Sequence, residues 1–134
     1  MNPSRILLML LRVGVVLQVM VGITLWTGHG YSLVGMHRAM GVGLVLVLWS
    51  IALLALVARQ QVGLAAFALL WGFVIAMLGF SQQRILIGDM HWIVRVLHLV
   101  IGLSAMPLAE RLTRRQQRPV SSGERSSSNL ETSR

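Results

Sequence analysis

The stretch LVGMHRAMGVGLVLVLWSIALLALV, residues 33–57, decides the fold. It lacks the period-two alternation of a half-buried strand, and it is longer than the roughly 20 residues a helix needs to cross the hydrocarbon of a bilayer. Backbone polar groups in lipid must be satisfied within the segment, so the run reads as a transmembrane helix. Its only ionisable residues, His37 and Arg38, stand near its start. An imidazole at membrane depth is costly and needs a partner.

The partner is suggested by an echo further along the chain. Residues 36–43 read MHRAMGVG and residues 97–104 read LHLVIGLS. Each places a His four residues before a Gly, His37 before Gly41 and His98 before Gly102. Four residues is about one helical turn, so each pair shares a face. Two imidazoles in matched positions point to one shared ligand, a haem iron clamped between them. A His in a membrane helix can also simply hydrogen-bond across to a neighbouring helix, which is the plainer alternative.

Composition supports a membrane chain. Of 134 residues, 55% are hydrophobic and only 12% charged, about half the charge of a soluble domain. The length allows one domain. Four apolar spans are expected, at about 8–28, 33–57, 62–80 and 91–110. They predict an all-α, integral membrane four-helix bundle with up-down-up-down order, occupying residues 1–110. Residues 111–134 are basic and Ser-rich and are expected to form a disordered cytoplasmic tail. The absence of cysteine excludes disulfides, iron–sulfur clusters, Cys-ligated zinc and covalently attached haem.

Every cationic side chain is Arg, and the net charge is +8. Most Arg residues flank the apolar runs, where they act as topology signals and lipid headgroup contacts rather than as a nucleic-acid surface. With four spans, Arg5, Arg12, Arg59, Arg111, Arg114, Arg115, Arg118, Arg125 and Arg134 share one side, and Arg38, Arg84 and Arg95 the other. The positive-inside rule then puts both termini in the cytoplasm, in the inner (plasma) membrane of a prokaryote. Arg12 is expected to snorkel to the near interface.

The third span carries no ionisable residue, and Gly63, Gly72 and Gly79 on it suggest close helix packing. Gln18 and Gly22 lie four apart on one face of the first span, which can line the bundle interior where small and polar residues allow close packing; for Gln18 ordinary packing is preferred. His29, in the turn TGHGYS, is read as a solvated loop residue; with His91 and Asp89 it forms at most a weak case for a surface metal site. Met36, Met40 and Met106 are read as apolar filler rather than iron ligands.

On the fourth span His91, Arg95, His98 and Gly102 are spaced 4, 3 and 4 apart, which is one helical face. The second and fourth spans run in the same direction, so His37 and His98 both fall in the outer half of the membrane. His37 lies about four residues and His98 about eight residues into its span, an offset of roughly 6 Å along the axis. Gly41 and Gly102 leave room for a flat porphyrin one turn below each ligand. Arg38 and Arg95 can pair with its propionates by charge-assisted hydrogen bonds, Asp89 being the protein alternative for that side. Axial imidazoles need an acceptor at the second nitrogen, for which a backbone carbonyl or Ser104 can serve. Pro107 can kink or terminate the fourth span.

These residues resemble a known family. Residues 32–49, with His37-Arg38 followed by Ala39 and Gly41, look like the His-Arg helix of a haem A synthase half-domain. Residues 90–110, with Leu97-His98 and Gly102, look like its partner histidine helix, and residues 17–28 (LQVMVGITLWTG) are similar to the helix that precedes each. The resemblance covers roughly residues 10–110. It implies a four-helix bundle with bis-His haem ligation near the outer face, related to four-helix b-type cytochromes. The chain departs from the pattern in three ways. It has one four-helix half where the synthase has two. Val34 stands where the family places a Glu, and the outer-loop cysteine pair is missing. A homodimer would restore eight helices but not the Glu.

The resulting expectation is a membrane b-type cytochrome-like protein. Haem b is held non-covalently by His37 and His98, with Arg38, Arg95, Gly41 and Gly102 around it. Its work is one-electron transfer with a quinol or another redox subunit. The alternatives are a non-haem structural or assembly subunit and a haem-handling factor.

Overall fold

The computed structural model describes residues 3–28, 30–82, 84–85 and 88–116. Among them the chain is all-helical, with no strand. Helix α1 spans Pro3–Trp26, α2 Val34–Val57, α3 Val62–Ser81, α4 His91–Leu103 and α5 Ala105–Gln116. A single 3₁₀ turn, Tyr31–Leu33, leads into α2. Four helical stretches are long and apolar enough to cross a membrane: Pro3–Trp26, Tyr31–Val57, Val62–Ser81 and His91–Arg114. They match the four spans expected from the sequence. The first begins five residues early, with Pro3 at a helix start where its missing N–H is no loss. His29 and residues 117–134, including Arg118, Arg125 and Arg134, lie outside the described residues.

The α2–α3 turn closes in a Schellman arrangement. The amide of Gln60 donates to the Ala55 carbonyl (2.9 Å) and that of Arg59 to the Leu56 carbonyl (2.9 Å). This motif wants its left-handed residue to be Gly. Here it is Arg59, at φ 50°. A left-handed residue with a side chain costs roughly 1–2 kcal/mol. Arg59→Gly is therefore expected to stabilise the protein by about 1 kcal/mol, read as a higher thermal unfolding midpoint in detergent; an unchanged or lower midpoint would contradict this account of the turn.

The fourth span is broken at Ser104, three residues before Pro107. Pro107 has no N–H to give the Leu103 carbonyl four residues back, and its ring crowds that turn. The Ser104 hydroxyl bridges the break. It donates to the Ile101 carbonyl (2.6 Å) and accepts from the Trp71 indole N–H (2.6 Å), which ties the joint to α3. That role takes it away from the one considered for it, as an acceptor for a histidine ring.

Helix α5 continues six residues beyond the expected end at residue 110. Leu108, Ala109, Leu112 and Thr113 are buried, so the core extends past the point where the composition turns basic. Leu11, Leu48, Ile51, Ala52, Ala65 and Leu112 are among the buried residues of this core, which α1, α2, α3 and α5 build together. Small side chains allow the close approach of α2 and α3: a methyl group at Gly72 would collide with the Trp49 indole nitrogen, which donates to the Leu69 carbonyl (3.0 Å). Arg12 does not simply reach for the interface. It pairs with Glu110 on α5 (2.6 Å), which also meets Arg114 (3.4 Å).

Helix α4 is the exception to this packing. It comes close to α3 and α5 but makes at most a marginal backbone contact with α1 or α2. The gap this leaves holds the histidines.

Candidate functional site

His37 lies in the first turn of α2 and His98 in the middle of α4. Each is half-buried. Their ring centroids are 6.4 Å apart, with the planes inclined by 57°. The axial offset expected from the sequence does not keep them apart. A linear nitrogen–metal–nitrogen bridge, with bonds of about 2 Å on each side, sets two imidazole centroids roughly 6 Å apart. Among the described residues no protein group hydrogen-bonds either ring, and Nδ1 of both is buried without a partner. Neither ring makes a cross-helix hydrogen bond to another described residue.

Each ring is backed by a glycine of the preceding helix. A Cβ placed on Gly22 of α1 would lie 3.4 Å from Cε1 of His37, and one on Gly79 of α3 would lie 3.4 Å from Cε1 of His98. Both rings thus bring Cε1 against a glycine, where a larger side chain would press on them. From the sequence, Gly79 is expected only to ease helix packing and Gly22 to share an interior face with Gln18.

Gly41 and Gly102, expected to play the same part, play different ones. A Cβ on Gly102 would meet nothing within 4 Å, whereas one on Gly41 would press to 3.1 Å against Nε2 of Gln18. That nitrogen donates to the main-chain carbonyl of His37 (2.9 Å). Gly41 therefore admits Gln18, and Gln18 belongs to the site rather than to ordinary packing. Its Oε1 is a third buried atom without a partner.

Two cavities meet at the histidine pair. The inner one, about 90 Å³, runs between apolar side chains including Leu11, Val15, Val45, Leu48 and Ala105. The outer one, about 240 Å³, is lined in part by Trp26, Tyr31, His91, Arg38 and Arg95. Val15, Gln18, His37, Arg38, Gln82, His98 and Gly102 border both. The helical face read from the spacing of His91, Arg95, His98 and Gly102 thus lines one wall of the outer cavity. Gln82, at the end of α3, was not singled out in the sequence; a lone Gln beside a loop carries no signal of its own.

The space is apolar at one end and cationic at the other, with two nitrogen donors across its middle. A flat ligand with an apolar edge, an anionic edge and a metal able to take two nitrogens would fit that polarity and donor set. Asp89 forms no ion pair among the described residues, and Arg95 has no carboxylate partner there. Met36, Met40 and Met106 line neither cavity. His91 directs Nδ1 at the Ile85 carbonyl (3.4 Å), and no cluster of three or more His, Asp, Glu or Cys suited to a metal occurs among the described residues. Compared with protein-family models, with curated proteins and with solved structures, the chain matches none.

Proposed function

We propose that the chain is a small membrane cytochrome of the b type, holding one haem non-covalently between His37 and His98. The observation that carries this reading is the pair of partnerless imidazoles 6.4 Å apart across a gap in the helix packing. His37 and His98 would serve as neutral ligands through Nε2, each keeping its proton on Nδ1. The Leu11, Val15 and Leu48 end of the space excludes water from the metal. Arg38 and Arg95, which line the outer cavity, would pair with the haem's two propionates. When bound, haem b would supply a one-electron couple. The chain's part is to fix the ligands, keep the site dry and balance its charge.

In this reading the four spans alternate in direction, both termini face the cytoplasm of a prokaryote, and Arg59, Arg111 and Arg114 meet anionic lipid on that side. The histidines then lie near the outer face. One such site does not carry electrons across the whole membrane, so the protein exchanges them with a quinol or with another redox subunit. Val34, where the resembling synthases place a Glu, separates holding a haem from modifying one.

The test is a reduced-minus-oxidised visible spectrum of the purified protein, expressed with ample haem. A low-spin b-type difference spectrum is the expected result. No haem absorption would sink the reading in favour of a structural or assembly subunit, and rapid loss of haem to an acceptor protein would favour a handling factor.

A further inference from the structure

We propose that Gln18 is a positioning residue for His37, gripping it at two points: its amide nitrogen at the main-chain carbonyl, and its amide oxygen at Nδ1–H of the ring once Nε2 is engaged by a metal. This extends the haem reading above and rests on it.

The first grip is present in the structure, Nε2 of Gln18 lying 2.9 Å from the His37 carbonyl oxygen. A carbonyl only accepts, so the amide must offer its NH₂ there, which fixes which way the side chain is turned. Oε1 is then the free end of the amide. It is buried and unpartnered, and so is Nδ1 of His37, the residue this side chain already holds. One is an acceptor and the other becomes a donor when Nε2 gives its lone pair to a metal. A buried polar atom without a partner carries a desolvation penalty, and joining these two removes both penalties. Gly41 is the feature that makes the arrangement possible, since a Cβ there would crowd the amide. A metal-bound imidazole almost always donates its other N–H to an acceptor, which sets its tautomer and orientation and raises its basicity.

An acceptor on Nδ1 gives the ring more electron density to donate, which favours the oxidised metal. Gln18→Leu removes both grips; Gln18→Glu removes the grip on the carbonyl but keeps an acceptor for the ring. In the full-length, haem-loaded protein we expect Gln18→Leu to raise the reduction midpoint and weaken haem binding about tenfold. Gln18→Glu is expected to lower the midpoint. Equal shifts of one sign in both variants would mean that Gln18 matters only through the carbonyl, and would overturn the proposal. So would a midpoint unchanged in both. A wild-type protein that takes up no haem overturns the haem reading and this proposal together, whereas haem uptake with unresponsive variants overturns only the role of Gln18.

Discussion

If the chain holds haem as proposed, replacing either His37 or His98 by alanine is expected to abolish the low-spin spectrum. The two ring centroids lie 6.4 Å apart, and Met36, Met40 and Met106 line neither cavity beside them. Loss of a direct ligand exceeds the 10–100-fold typical of changes to its supporting groups, so haem affinity should fall by more than about a hundredfold. His37→Gly and His98→Gly add a control against misfolding, since free imidazole can enter the vacated space and restore the six-coordinate spectrum. His91→Ala serves as the comparison. His91 lines the outer cavity, but its ring faces the Ile85 carbonyl, so its loss should leave the spectrum intact. A spectrum that survives both ligand substitutions and disappears with His91→Ala would show that the wrong pair was chosen.

The second large effect concerns Gly79, a residue with no polar chemistry. A Cβ there would sit at ordinary contact distance, 3.4 Å from Cε1 of His98. Gly79→Ala should therefore be tolerated, and because Ala is the better helix former it should stabilise the haem-free protein by up to about 1 kcal/mol. Gly79→Leu drives further atoms into the ring and pushes it toward the cavity. Haem affinity should then fall at least tenfold, the scale seen when a ligand's support is disturbed. Gly22→Leu should do the same to His37. Measured by haem titration alongside thermal unfolding, the two substitutions at Gly79 separate a steric role at the ring from general damage to α3. Equal haem affinity in the wild type and Gly79→Leu would rule that role out.

The helices were legible because length and apolarity are summed over many residues. The start of α2 and the bounds of α3 follow from where the apolar runs meet polar turns. The break in the fourth span was half legible. Pro107 announces one, but its position at Ser104 depends on which carbonyl loses its donor and on Trp71 arriving from α3. The fourth span reads as ending at residue 110 because composition changes there, but burial does not: Leu112 and Thr113 are still buried. In the candidate site the two histidines were legible as a repeated motif, and so was the face carrying His91 and Arg95. Gln18, Gly79 and Gln82 were not. Their importance lies in what each approaches on another helix, and a single sequence records no such distances. The Arg12–Glu110 pair, 98 positions apart in the chain, is of the same kind.

The stand-off of α4 from α1 and α2 has a further consequence, for the lifetime of the chain in a cell. A helix held on only two sides is the part that detaches first, and detached segments are what proteases engage. Any molecule that bridges His37 and His98 ties α4 back to α2, adding to that attachment a free energy that grows with its concentration, about 2.7 kcal/mol at a hundredfold excess over its dissociation constant. The amount of protein that survives should then follow the supply of the ligand, with chains made in its absence cleared and chains made in its presence retained.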